Sequence, residues 1–184
     1  MDRRQSLGLM GIFAATLASA NVAHATTARA VSLPDLVRRS TRVARATALD
    51  SFARSEDIGG ARHIVTYSRM RIDDSIHGPS GDSETLVRTL GGRVADLGEI
   101  VHGEAELVLH ETCLVFLMID PNGVEVVTGM AQGHYPITID GAGTPRLRLS
   151  RNMPQLVGGA TSAVAQLTGK PFTEARALIL GARR

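Results

Sequence analysis

The side chains in this sequence best placed to do chemistry are histidines and carboxylates, and they gather between residues 102 and 110. His102, Glu104, Glu106 and His110 fall in one short segment, Val101-His102-Gly103-Glu104-Ala105-Glu106-Leu107-Val108-Leu109-His110. Transition-metal sites favour imidazole with carboxylate partners. On a strand, side chains two apart share a face, so His102, Glu104 and Glu106 would point the same way. The candidate metal ligands are therefore His102, Glu104 and His110, completed by a histidine from a neighbouring strand. The competing reading is a solvated polar strand face, and no HExxH or CxxC pattern tips the balance toward metal.

The remaining groups offer less. Cys113 is the single cysteine and stands in the apolar run Cys113-Leu114-Val115-Phe116-Leu117-Met118-Ile119, where a buried small hydrophobe is expected rather than a nucleophile. A lone cysteine also excludes an intramolecular disulfide. Asp73-Asp74 resembles a paired-carboxylate site, but neighbours on a strand point to opposite faces, so the pair does not converge. There is no G-x-S-x-G elbow, and Gly129-Met130-Ala131-Gln132-Gly133 has the wrong spacing for a phosphate loop; its expected role is to let a strand bend. No cofactor is indicated.

The first 25 residues read as an export signal. Arg3 and Arg4 give a positive start, Leu7 to Ala20 is apolar or small, and Ala23-His24-Ala25 is a small-x-small cleavage pattern. That run is shorter than the roughly 20 apolar residues of a membrane span. Arg3-Arg4 leaves twin-arginine export open beside the ordinary secretory route, and no cysteine near the cleavage point suggests a lipid anchor. The expectation is a protein working in the periplasm or outside the cell, with no membrane attachment once residues 1–25 are removed.

Residues 26–184 are then one domain with enough chain for a real core. The full sequence has 20 basic and 18 acidic side chains, and without Asp2, Arg3 and Arg4 of the leader these become 18 and 17, a near balance. Arg38, Arg39, Arg42 and Arg45 form the only dense basic group, read as the solvated face of a helix and the strand after it. Tryptophan is absent, and outside the leader the aromatics are Phe52, Phe116, Phe172, Tyr67 and Tyr135. Too few remain for a base- or sugar-stacking groove, so nucleic acid is not an expected partner.

The elements that would hold these groups are strands in the middle and helices at the ends. Ser32 with Pro34 and Asp35 forms a capping box that starts a helix to Ser40. Period-two alternation marks strands over Arg42–Arg54 and His63–Asp73, a long hairpin turned at Glu56-Asp57-Ile58-Gly59-Gly60. Ala44, Ala46 and Ala48 make one face of the first strand small, which suits close packing. Further strands are expected at Glu84–Leu90, weakly at Glu104–Leu109, at Thr112–Ile119 and Val124–Gly129 about an Asp-Pro-Asn-Gly turn, and at Ile137–Ile139 and Arg146–Ser150. Met153–Gln166 is helical in composition, and Thr173–Leu180 carries a helix-starting threonine and an apolar stripe. Short strands joined by glycine turns fit a mainly β fold: a small antiparallel barrel, OB-like or half-open, of six to seven strands with short terminal helices. A sandwich is the alternative. The helix and barrel occupy residues 31–150 and a helical extension 151–184.

Several short motifs carry a resemblance. Leu33-Pro34-Asp35-Leu36-Val37, Val65-Thr66-Tyr67, Arg88-Thr89-Leu90-Gly91-Gly92, Val101-His102-Gly103, Val115-Phe116-Leu117 and Gly129-Met130-Ala131-Gln132-Gly133 occur in an order that resembles a family of uncharacterised exported bacterial proteins with a strand-rich, barrel-like domain. The chain departs at His77, where relatives carry a basic residue before the glycine, and at His110-Glu111, where they carry Gly-Glu. The resemblance implies a fold and an exported location and assigns no catalytic residue. Two functional expectations follow: a non-enzymatic binding or accessory module of the bacterial envelope with a protein or small-molecule partner, or a metal-dependent hydrolase using His102 and His110.

Overall fold

The computed structural model describes residues 27–79, 82–158 and 161–183; the export signal expected at 1–25 lies outside them. Strand β1 (Thr27–Arg29) leads into helix α1 (Leu33–Arg39). The Ser32 hydroxyl accepts from the Asp35 N–H, the N-cap expected from sequence, and donates to the Asp35 carboxylate at 2.7 Å, which takes the hydroxyl rather than the Ser32 backbone N–H of a full capping box. The Ser40 hydroxyl, bonded to the Leu36 carbonyl, ends the helix, which turns Leu33, Leu36 and Val37 inward.

Next comes the long hairpin, β2 (Arg42–Ile58) and β3 (Ala61–His77). It is longer than the alternation alone marked, because the turn is only Gly59-Gly60. Both glycines have positive φ, 61° and 84°, which a two-residue loop demands at both positions when the strands keep their right-handed twist. Register shifts at Val43/Ala44, Arg45/Ala46 and Ala48/Asp50 are bulges that bend the ribbon.

Strand β4 (Glu84–Leu90) pairs with β3 over the expected residues. A small hairpin follows, β5 (Gly92–Val94) and β6 (Leu97–Glu99). Strand β7 (Thr112–Ile119) lies on the other side of β2. It turns through Asp120-Pro121-Asn122-Gly123 into β8 (Glu125–Val127), and β9 (His134–Ile139) and β10 (Pro145–Leu147) add to its far edge. The order is β10-β9-β7-β2-β3-β4-β8, with β8 also pairing with β7.

The fold is mainly β, as expected, and the sheet curls back on itself. It is a mixed sheet, not a purely antiparallel one, because β8 runs parallel to β4. Only Val87↔Glu125 and Arg88↔Val126 join those two strands, so the curl is half-open at that seam.

Three expectations need correction. Glu104–Leu109 is turn and loop, not strand. Met153–Gln166 is not a helix: it contains β11 (Gln155–Val157), parallel to β1, and the start of the five-residue helix α2 (Ala163–Leu167). Arg42 is not solvated; it is 4% exposed and pairs with Asp82 at 2.8 Å and Glu125 at 3.4 Å. The last helix, α3 (Phe172–Gly181), contains the expected Thr173–Leu180. No helix among the described residues is long and apolar enough to cross a membrane.

Two apolar clusters hold the molecule together, and β7 divides them by its alternation. Leu114 and Phe116 point to the outer face, where Leu36, Val37, Tyr135, Leu147, Leu167, Phe172 and Ile179 bring the three helices onto the sheet. Cys113, Val115 and Leu117 point to the inner face, with Ala46, Ala48, Met70, Val87 and Val127. The small alanines of β2 are fully or almost fully buried there. They let the strands across the curl approach one another.

Candidate functional site

Between β3, β4, the end of the β5–β6 hairpin and the 100–107 segment there is a cleft of about 320 Å³. Its walls include Thr66 and Ser68 from β3, Thr89 from β4, Gly91 and Gly92, and the stretch Ile100–Leu107 apart from two exposed or turn residues. Gly92 has a φ of 130°, and a Cβ there would collide with the Thr66 hydroxyl. The glycine lets the chain leave β4 hard against β3. The Thr66 hydroxyl donates to the Gly91 carbonyl at 2.8 Å and fixes that exit.

Glu104 is the chemical centre of the cleft. A turn closed by its N–H on the Val101 carbonyl delivers the side chain inward, leaving it 8% exposed. One carboxylate oxygen accepts from the Ala105 N–H at 2.9 Å, the other from the Leu90 N–H at 3.3 Å. Burial pushes the Glu104 carboxyl above the usual glutamate range, and the two N–H donors and the Arg88 charge oppose that shift without cancelling it. Nearby, the Ser68 hydroxyl is buried with no hydrogen-bond partner among the described residues. An orphaned hydroxyl lining the same cleft as a desolvated carboxyl is polar capacity that folding leaves unused.

The rim is built as firmly as the floor. The Glu99 carboxylate receives the Ile64 N–H at 2.6 Å and contacts His63 Nδ1 at 2.8 Å, which pins β6 to β3. Both donors favour the charged form and hold Glu99 below its ordinary value. Beside this anchor, Leu97 and Ile100 are 71% and 80% exposed. The cleft therefore sets a buried carboxyl and strand hydroxyls among apolar walls, with the exposed Ile100 at its lip.

The structure separates the residues grouped from sequence. Glu104 alone enters the cleft. His102 sits exposed on a turn, Glu106 is on the rim with an exposed side chain, and His110, at a φ of 63°, lines a different groove. Among the described residues no three His, Cys, Asp or Glu side chains are grouped as metal ligands would be. The shared face needed a strand through 102–106, and the chain turns there instead. Of the other histidines, His63 binds Glu99 and His134 is buried against Ser150.

Cys113 is 2% exposed and its thiol is pushed up to about 12 by burial and then by Glu111 and Asp73, far from thiolate chemistry. Asp73 and Asp74 diverge as argued, Asp73 to Thr47 and Arg71 and Asp74 to Arg176. Sequence reasoning missed Thr66, Ser68 and Thr89, whose hydroxyls belong to ordinary strands. The only local sign was Gly91-Gly92 at the strand end. It also missed Arg88, 8% exposed between Glu56 at 3.2 Å and Asp120 at 2.5 Å, whose partners are distant in the chain.

No family model matches this chain, and no curated protein matches it at a significant level.

Proposed function

We propose that this protein is an exported binding module of the bacterial envelope, without catalytic activity, whose Glu104 cleft takes a small polar molecule presenting hydroxyl or ammonium donors. The observation that carries the reading is the buried Glu104 carboxyl, held in place by two backbone N–H groups in a cleft that also contains an unpartnered Ser68 hydroxyl. A ligand donor would offset the cost of burying that carboxylate, and the apolar lip at Ile100 would cover the ligand's carbon skeleton. Binding is favoured over catalysis because the residues lining the cleft include no imidazole or thiol to act beside Glu104.

Native mass spectrometry of the protein taken from its producing cells tests this. The wild type is expected to carry a small-molecule adduct that Glu104→Gln lacks. Gln keeps a carbonyl acceptor for one N–H and so retains much of the fold. An equal adduct on both proteins, or none on either, contradicts the proposal.

A further inference from the structure

A second groove, of about 820 Å³, lies on the outer side of the sheet beyond the helices and is lined by Arg45, Arg71 and Arg151 together with Leu109, Ile137 and Ile139. Its three arginines are not equally occupied. Arg71 Nε donates to Asp73 at 2.7 Å, and Thr47 donates to the other oxygen of the same carboxylate at 2.6 Å. That pair is complete. Arg151 reaches Glu111 only at 3.4 Å and Glu106 at 3.9 Å, both longer than the ~2.7 to 2.9 Å of a well-formed guanidinium–carboxylate bond. Arg45 rests on the Phe172 ring at 5.3 Å and forms no ion pair among the described residues. Asp74, its cross-strand neighbour on β3, is turned to Arg176 at 3.5 Å. The groove therefore holds one uncommitted guanidinium, on the partly buried Arg45, and one weakly committed one, on the exposed Arg151.

The opposite wall is apolar. Ile139 is 65% exposed and Leu109 49%, and Ile137 and Pro145 continue the surface. With Asp73 and Glu111 also present, the groove is not a bulk positive field that attracts any polyanion. It is a directional arrangement: planar donors on one side, hydrocarbon on the other. We propose that this groove binds a small organic acid, its carboxylate on Arg45 and Arg151 and its hydrocarbon body against Leu109, Ile137 and Ile139. This assignment does not rest on the Glu104 cleft, whose lining shares no residue with this groove.

The test is calorimetric titration of the whole exported domain with octanoate, a carboxylate with a flexible apolar body, and with acetate and inorganic phosphate as headgroups alone. Octanoate is expected to bind, with affinity falling at least tenfold in Arg45→Gln and in Arg151→Gln, and measurably in Ile139→Ser. Arg151 and Ile139 are exposed enough that their substitution leaves folding intact, so a fold defect in Arg45→Gln would not spoil the test. Three results overturn the proposal: no octanoate binding by the wild type, unchanged binding in Arg151→Gln, or acetate or phosphate binding as tightly as octanoate.

Discussion

Replacing Phe116 with alanine is expected to lower folding stability by about 3–5 kcal/mol, the range for emptying a fully buried phenylalanine site. Phe116 is 0% exposed at the centre of the outer cluster. Its ring meets Tyr135 edge-on at 6.2 Å, and the same cluster brings Leu36 from α1, Leu167 from α2 and Ile179 from α3 onto the sheet. Truncation leaves a void that three helices and a β-strand must share. Backbone pairing of β7 with β2 and β9 limits how far it can collapse. A typical domain is stable by only ~5 to 15 kcal/mol, so a large part of the margin would go. Urea unfolding followed by circular dichroism should show the midpoint falling with the slope unchanged. A loss under about 1 kcal/mol would mean that the helices do not pack on this face.

The second large effect is acid sensitivity set by His134. This side chain is 2% exposed. Burial, and then the nearby Arg151 charge, lowers its imidazole to about 4. Its Nδ1 contacts the Ser150 hydroxyl at 3.1 Å. The native state thus favours neutral histidine, whereas the unfolded chain protonates near 6.5. The native advantage is complete above pH 6.5 and is lost as pH falls from there toward 4, since the unfolded state binds the proton first. Over that window the linkage amounts to about 3 kcal/mol.

Glu104 acts in the opposite direction. Its raised carboxyl costs stability as pH rises through its own titration. The paired carboxylates Asp35, Asp120 and Asp140 are held low and contribute stability that disappears only in stronger acid. Comparing wild type with His134→Gln therefore isolates the histidine. The difference between their unfolding free energies should shift by about 3 kcal/mol between pH 6.5 and 4. A constant difference across that range would show that the imidazole is not buried.

Much of the fold could be read from local pattern. The β2–β3 ribbon, β4 and β7 alternate cleanly because one face of each meets the core, and the Ser32–Asp35 cap is a purely local device. The small hairpin β5–β6 escaped because each strand has only three residues, and because Ala95, with a φ of 52°, holds a turn position that alanine does not advertise. Glu104-Ala105-Glu106-Leu107 mimicked an exposed strand since alternating polarity does not reveal whether a carboxylate will find backbone donors inside. Here it found those of Leu90 and Ala105. Arg42 looked like one of four solvated arginines. Strand alternation puts it instead on the inner face with Ala44, Ala46 and Ala48, where it meets Asp82 and Glu125, partners that no sequence window contains. Glu104 itself was among the candidate residues, but the chemistry around it was invisible, because the hydroxyls beside it come from strands that pair only in the folded sheet.

The central claim, that the Glu104 carboxyl receives a ligand's donors, is tested most directly through the amides that already donate to it. Leu90 and Ala105 N–H resonances in a ¹⁵N-labelled sample report on that carboxylate. Titration with a panel of monosaccharides and primary amines should move both resonances saturably with at least one member. The shifts should vanish in Glu104→Gln, and they should weaken as acid protonates the carboxyl. If every member of the panel leaves Leu90 and Ala105 unmoved, or moves them equally in Glu104→Gln, the cleft is not a binding site for such donors and the account is contradicted.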